Sequence, residues 1–200
     1  MSTQILENVA EIRAGHPFRG AIHASKKGNG YVIQIRDQDE EGKITWGGLT
    51  RAEVSGRNEP EWLSAGDIVF AARGLRNLAT EIPAAKLERL EYPVVCSPHY
   101  FQIRINEGTP LLPEFLAWQL NQAFAQKYFQ QSAVGSAQVS IRRTVLAQTP
   151  ITLPEIETQQ RVVHLSKMAA REEKIYQQLI ELRRLEMSAI AKQILTEHSK

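Results

Sequence analysis

The sequence contains a single cysteine, Cys96, among its 200 residues. A lone cysteine excludes an internal disulfide and a multi-cysteine zinc site, and as a small apolar residue it is expected in the core. No apolar run is long enough to cross a bilayer, and residues 1–18 lack the basic patch and apolar stretch of a secretory leader. We therefore expect a cytoplasmic protein without a membrane span.

Proline is absent after Pro154 and glycine is absent after Gly135, so nothing in the last fifth of the chain interrupts a helix. Pro154 is well placed to begin one, and a single helix over residues 154–200 would be ~68 Å long. Its apolar residues fall on two adjoining stripes. A small domain at one end cannot cover both stripes, so most of this surface needs another long helix; the alternative is a terminal helix folded back over its own core. The residues that we expect to carry dimerisation are Met168, Ile175, Leu179, Leu182 and Ile190.

Acidic residues are missing from two stretches, residues 12–36 and 115–154, although the net charge of the chain is only +2. Both stretches carry lysines or arginines. If they fold onto one face, they form a surface that binds phosphates, whereas scattered basic side chains often serve only to keep a protein soluble.

Catalytic motifs are also missing. There is no glycine-rich cofactor turn and no phosphate-binding loop of the Walker type, and the five histidines show no metal-ligand spacing. Glu41 and Lys43, or Glu172 and Lys174, match only half of a metal-dependent nuclease motif. We predict no catalytic residues, no metal and no cofactor, and a protein that binds instead of catalysing.

The first 150 residues read as short strands broken by turns, with one clear helix. We predict strands over residues 31–37, 43–46, 66–74 and 94–106, the last half-solvated because polar and apolar residues alternate from Tyr100 onward. The prediction continues with a helix over residues 112–131, a short helix within 140–148 and an extended link at 149–154. The fold class is α+β: a mixed, β-rich domain with a packed helix over residues 1–153, then one long coiled-coil helix over residues 154–200.

The segment PITLPEIETQQRVV, residues 150–163, resembles the junction between the target-recognition domain and the spacer helix in specificity subunits of type I restriction-modification systems. Three further stretches are similar to the same family in order and spacing: PFRGAI with YVIQIRD, GDIVFAARGLRN, and LPEFLAWQLN with GSAQVSIRRTVL. The junction pattern is met by Ile151, Leu153, Pro154, Ile156, Glu157, Gln159 and Val163.

This resemblance implies a domain that reads double-stranded DNA and a helix that acts as a ruler, with methylation and cleavage left to separate modification (methyltransferase) and restriction subunits. Family members usually carry two recognition domains and two such helices, whereas this chain has one of each. It could be half of a split subunit, a half-length subunit that forms a homodimer on a bipartite palindromic site, or a remnant. The alternative from another class is a protein-interaction adaptor on a coiled-coil stalk that does not bind DNA.

Base-reading residues cannot be carried over from the family, because its members vary them to change their targets. We select candidates by their chemistry, since lysine and arginine bind phosphates and guanine edges while amide, hydroxyl and aromatic groups bind or stack on bases. The candidates are Lys26, Lys27, Arg73, Arg76, Tyr100, Gln138, Ser140, Arg142 and Arg143.

Overall fold

Short strands and short helices make up the first three quarters of the chain, and one long helix follows them. The computed structural model describes residues 2–56, 59–74, 76–132 and 139–197. The strands are β1 (Ser2–Ile5), β2 (Ala10–Ala14), β3 (Gly30–Ile33), β4 (Thr50–Ala52), β5 (Ile68–Ala71), β6 (Arg73–Gly74), β7 (Ala79–Glu81), β8 (Val94–Cys96), β9 (Tyr100–Ile105), β10 (Val139–Ser140) and β11 (Pro150–Leu153). The α-helices are α1 (Leu6–Val9), α2 (Ala84–Leu87), α3 (Pro113–Leu120), α4 (Ala123–Ser132), α5 (Arg143–Ala147) and α6 (Ile156–Glu197).

A four-stranded antiparallel sheet in the order β2-β9-β5-β7 forms the centre of the first unit, Met1–Gln159. A three-stranded sheet in the order β4-β3-β8 lies beside it, with β3 and β8 parallel. Two short antiparallel pairs, β1 with β11 and β6 with β10, complete the strand pairing of the described residues. The fold is therefore α+β, as predicted.

The core lies on both faces of the central sheet, because β5 is buried on both sides. Val69 and Ala71 belong to one apolar cluster with Ile33 and Val94 of the three-stranded sheet. On the other face, the ring of Phe70 meets that of Phe129 in α4 edge to face, with centroids 5.0 Å apart, an arrangement that adds about 1 kcal/mol to the burial of the two rings. Such a strand reads as a continuous apolar run, which is why the sequence identifies it.

The predicted strand over residues 94–106 is wrong in two respects, the first of which is that the run divides between two sheets. It breaks at residues 97–99, so β8 joins the three-stranded sheet and β9 the central one. The polar face of β9 is not half-solvated either: Tyr100 and Gln102 are buried. The alternation of polar and apolar residues is real, but Tyr100 and Gln102 are covered by packed residues, and only Arg104 on this face is partly exposed.

The predicted helix over residues 112–131 is two helices, α3 and α4, separated at Asn121 and Gln122. The side chain of Asn121 pairs with the backbone of Ala79 through both of its polar atoms, at 2.8 and 2.9 Å. It thereby continues the hydrogen bonding of edge strand β7. The break also turns Phe124 out to solvent, although its spacing from Leu120 predicts a buried position.

Three smaller differences concern segment ends and pairings. The strand predicted over residues 31–37 ends at Ile33 and continues as a 3₁₀ turn, Ile35–Asp37. Residues 43–46 make only one isolated bridge, between Gln38 and Ile44. The link predicted at 149–154 contains β11, which pairs with β1.

The second unit, Gln160–Lys200, contains most of α6, a helix of 42 residues that begins two residues after Pro154. The prediction of one long C-terminal helix is confirmed. Across the four described ranges, no helix combines the length and apolar character needed to cross a membrane.

Candidate nucleic-acid interface

Several strand ends meet at one end of the first unit. The parallel strands β3 and β8 both end there, and β9 begins there after the corner at residues 97–99. Because β2 and β5 run antiparallel to β9, they also end at this place. We name the resulting surface the strand-end surface; it comprises residues 15–20, 34–40, 72–74, 76–78, 97–99 and 140–142.

Backbone hydrogen bonds hold the strand-end surface together. The N–H of His16 donates to the carbonyl of Cys96 at 2.8 Å, and the N–H of Ala72 donates to the carbonyl of His99 at 2.9 Å. Gly15 is required at this crossing, because a Cβ atom there would lie 2.0 Å from the carbonyl oxygen of Ser97. The surface is thus built on fixed backbone.

The second acid-free stretch reaches this surface through β10. Ser140 lies directly opposite Arg73 in the β6–β10 pair, and the N–H of Ile141 donates to the carbonyl of Ala72 at 2.9 Å. The exposed side chain of Arg142 follows immediately. The structure therefore brings together three sequence candidates that are about 70 residues apart in the chain.

Arg73 and Arg76 line one cleft of this surface, with a volume of about 380 Å³. A guanidinium nitrogen of Arg76 donates to the carbonyl of Glu40 at 3.1 Å, which holds the arginine at the cleft while leaving other donors available. The cleft is also lined by Asp39 and Glu40, so two cations and two carboxylates lie beside an apolar part that includes Ile35 and Leu78.

A neighbouring cleft of about 530 Å³ shares Ile35 with the first. Phe18 and Ile22 line it together with the exposed side chains of Arg36 and His99. The sequence candidates do not include these two residues. Arg36 belongs to the first acid-free stretch and could have been selected on that signal, whereas His99 carries no signal in the sequence.

Lys26 and Lys27 lie elsewhere, at the opposite end of the three-stranded sheet. Their turn precedes the start of β3, where the N–H of Ser25 donates to the carbonyl of Arg51 at 2.9 Å. The guanidinium of Arg51 lies over the ring of Tyr92, 3.8 Å from its centroid. These cations form a second basic surface. The first acid-free stretch is thus divided: Arg36 lies on the strand-end surface with the second stretch, whereas Lys26 and Lys27 do not.

Arg143 is also separate from the strand-end surface. Its Nε donates to the carbonyl of Ile12 at 2.8 Å, and it shares a cleft with Glu7 and Glu11. The pKa of Glu11 is lowered, mainly by its hydrogen bond with Arg13 and to a smaller degree by charges that include Arg143. Arg143 lies beside carboxylates, as Arg73 and Arg76 do, but on a cleft apart from the strand-end surface.

Tyr100 is withdrawn from the candidates, because its side chain is 0% exposed and cannot stack on a base. Its hydroxyl donates toward Gln38 Oε1 at 3.2 Å, and burial raises its pKa above the usual range. Gln138 lies outside the described residues.

The five helix residues selected for dimerisation, by contrast, all lie open on α6. Their exposed fractions range from 43% for Ile190 to 63% for Leu182, with Met168, Ile175 and Leu179 between them. Within the described part of the chain, no group of three or more histidine, cysteine, aspartate or glutamate side chains could hold a metal ion.

The chain belongs to the family described as the type I restriction modification DNA specificity domain, whose pattern it matches over residues 5–181. A comparison with curated protein sequences finds no match.

Solved structures of low sequence identity share the fold. One is the S subunit of the type I restriction-modification system from M. genitalium, at 12% identity and a TM-score of 0.54, covering 92% of this chain and 42% of that one. Another is the HsdS subunit from Thermoanaerobacter tengcongensis, at 14% identity and a TM-score of 0.56, where the match covers 86% of this chain and 37% of that one. The third is a chain from a structure on complex assembly and conformational transition of the type I R-M system. It has 18% sequence identity and a TM-score of 0.57, and the match covers 96% of this chain and 42% of that one. This chain therefore spans about two fifths of the length of the structures that it matches.

Proposed function

We propose that this chain recognises a specific sequence in double-stranded DNA as the specificity component of a type I restriction-modification complex. The observation that carries the proposal is the family match over residues 5–181, which covers the recognition unit and much of the long helix. The strand-end surface supplies chemistry suited to that task, since exposed arginines beside a hydroxyl can bind phosphates and guanine edges.

Two parts of the chain take different roles in this proposal. Residues 1–153 form the DNA-recognition domain, and residues 154–200 form the helix that spaces and joins two such domains. Arg73, Arg76, Ser140 and Arg142 face the DNA. Lys26 and Lys27 contact phosphates farther along the duplex, if the DNA extends over the second basic surface.

Self-association through α6 gives a homodimer. The exposed apolar residues on this helix form a longer patch than most monomers leave open to water, and a second copy of the same helix offers a matching surface. Two identical domains related by a two-fold axis read two identical half-sites in inverted orientation. The target is then a bipartite palindrome.

In this proposal the chain itself catalyses no reaction. Methylation would be carried out by a modification subunit and cleavage by a restriction subunit, and this chain would bring both to the chosen sequence.

Selection of bound sequences from a random duplex pool, followed by titrations at several salt concentrations, tests the proposal. We expect one recurring sequence and an affinity that falls steeply with salt. The variant Arg73→Ala/Arg76→Ala should reduce the salt slope by about 0.9 for each phosphate that is no longer neutralised. Lys86→Ala/Arg89→Ala removes the same charge from exposed positions around α2 and should leave the slope unchanged. Absence of a selected sequence and of salt-dependent binding would favour the adaptor role instead.

A further inference from the structure

The side chain of Gln159, in the first turn of α6, is 0% exposed and fully paired. Its Oε1 accepts the N–H of Leu112 at 2.8 Å, and its Nε2 donates to the carbonyls of Pro110 and Pro154, each at 2.8 Å. All three partners are backbone groups, two of them in the segment that leads into α3. The first turn of the helix is thus clasped to the body of the first unit.

The amide of glutamine matches the three backbone groups at this position. An amide offers an acceptor and two donors on one planar group, which matches one N–H and two carbonyls. An apolar side chain of the same length would leave all three backbone groups buried without partners, and a carboxylate could satisfy only the N–H.

A second amide clasp lies just before Pro154. The side chain of Gln119 donates to the carbonyl of Thr152 at 2.8 Å and accepts its N–H at 2.9 Å. The chain is therefore tied to α3 or its lead-in segment on both sides of the proline. The Gln159 clasp begins from a residue of α6 itself, whereas the Gln119 clasp holds β11, which precedes α6.

A helix turns a small tilt at its first turn into a large displacement at its far end. Forty-two residues span about 63 Å, so a tilt of about 5° moves the far end by about 5 Å. One base pair occupies about 3.4 Å of duplex. If the helix could tilt by a few degrees at residues 156–159, the DNA spacing set by the helix would therefore vary by more than one base pair.

We propose that Gln159 is a positioning residue that fixes the separation between the two DNA half-sites without contacting DNA. This inference rests on the proposed function, because it requires that two domains joined through α6 read a bipartite site.

The test compares Gln159→Met, which keeps the side-chain length but makes none of the three hydrogen bonds, with Gln160→Met. Gln160 is the same residue type at the next position and is exposed, so it controls for the substitution itself. Sequences are first selected from a random pool with the full-length protein. Affinities are then measured for duplexes with the preferred spacer and with spacers one and two base pairs longer or shorter.

For wild type and Gln160→Met we expect one preferred spacing. For Gln159→Met, which loses all three hydrogen bonds, the preference for that spacing over its neighbours should fall by at least about tenfold, the factor that one buried hydrogen bond can supply, with both half-sites unchanged. A residue that served only stability would lower the affinity for all spacings alike.

If Gln159→Met does not fold, Gln159→Glu decides the question, since it keeps the shape and the bond from Leu112. Its spacing preference should be weak where the carboxyl is ionised and recover as the pH falls, because a protonated carboxyl regains one donor. A Gln159→Met variant, or a Gln159→Glu variant at high pH, with the wild-type spacing preference would overturn the inference while leaving the proposed function intact. A wild-type protein that selects a single undivided sequence overturns this inference but not DNA recognition, and one that selects no sequence overturns both.

Discussion

Asp67 and Arg104 form an ion pair that holds together the polar face of strand β9. The carboxylate of Asp67 accepts two hydrogen bonds from the guanidinium of Arg104, each 2.7 Å long, and one from Gln102 at 2.8 Å. The side chain of Asp67 is 2% exposed and that of Arg104 is 38% exposed. The bond to Asp67 raises the pKa of Arg104, which stays charged. Two of the polar residues of β9, Gln102 and Arg104, thus donate hydrogen bonds to a buried carboxylate.

Removing the carboxylate should therefore destabilise the domain. Asp67→Ala removes the acceptor of Gln102 and of the Ser64 N–H, and leaves Arg104 only longer contacts with Trp62 and Ser64. We expect the free energy of unfolding to fall by about 3 kcal/mol. Arg104→Met in the same chain should recover part of the loss, because no unpaired charge remains. Urea unfolding of both single variants and the double variant measures the coupling, and strictly additive losses would show that the pair acts as two independent residues.

Cys96 should be chemically inert in the folded protein. It is buried in the cluster between the two sheets, and burial raises the pKa of its thiol to about 12. At pH 8 a thiol reagent should label it only after addition of denaturant, because the thiolate is the reactive form. The unfolded thiol ionises near its ordinary pKa of 9.0, so stability linked to this group is present below that pH and is lost as the pH rises toward 12. Rapid labelling of the native protein would contradict the burial.

Local sequence patterns predict some features of this fold and miss others. The buried strand β5 and the helix α6 follow from an apolar run and from a segment without helix breakers, which are local properties. Asn121 ends α3 because its side chain completes the edge of β7, a partner that is about 40 residues away in the chain. The alternation in β9 places Tyr100 on the predicted side of the strand. Whether that side of β9 faces solvent or a second sheet depends on how the sheets pack. The burial of Tyr100 was therefore not predictable from its own strand.

The same reasoning explains the candidate interface. The charge pattern of the sequence predicts the same DNA-binding role for Arg142 and Arg143, since they are adjacent in one acid-free stretch. The structure separates them: Arg142 follows β10 onto the strand-end surface, while Arg143 binds the backbone of Ile12. Only the path of the chain around residue 141 decides this.

Arg142→Ala and Arg143→Ala should accordingly have different effects. We expect Arg142→Ala to weaken DNA binding and to reduce the salt slope by about 0.9, the value for one phosphate contact. Arg143→Ala should keep the slope and instead lower the unfolding free energy by about 1 kcal/mol through loss of its hydrogen bond. Titrations at four or more salt concentrations, with urea unfolding of both variants, distinguish them. The reverse assignment would place the DNA on the cleft beside Glu11.

The apolar surface of α6 gives a prediction about self-association. Leu182→Glu places a charge within the proposed dimer contact and should yield monomers or aggregates, because a buried unpaired charge is costly. Ser188→Glu adds the same charge on the side of the helix opposite the apolar stripes, at an exposed position, and should leave the dimer intact. Sedimentation equilibrium of both variants and the wild type distinguishes monomer from dimer. A monomeric wild type would rule out the homodimer.

The length of α6 leads to the prediction that joins recognition and spacing. In the proposed dimer the spacer between half-sites is set by the helix, so an insertion that preserves the apolar face should change the spacer alone. Seven residues inserted between positions 175 and 190 roughly keep that face and add ~10 Å of helix. At ~3.4 Å per base pair this corresponds to about three additional base pairs.

The insertion should leave the letters of both half-sites unchanged. Three base pairs also rotate the second half-site by nearly a third of a helical turn, so the affinity for the longer site should be lower than that of the wild type for its own site. Parallel selection from one random pool, with wild type and insertion variant, measures half-sites and spacing together. Unequal half-sites in the wild type would indicate that a different second subunit completes the site. An insertion that changes the half-site letters and keeps the spacing would refute the ruler role of the helix, because α6 would then act on base recognition itself.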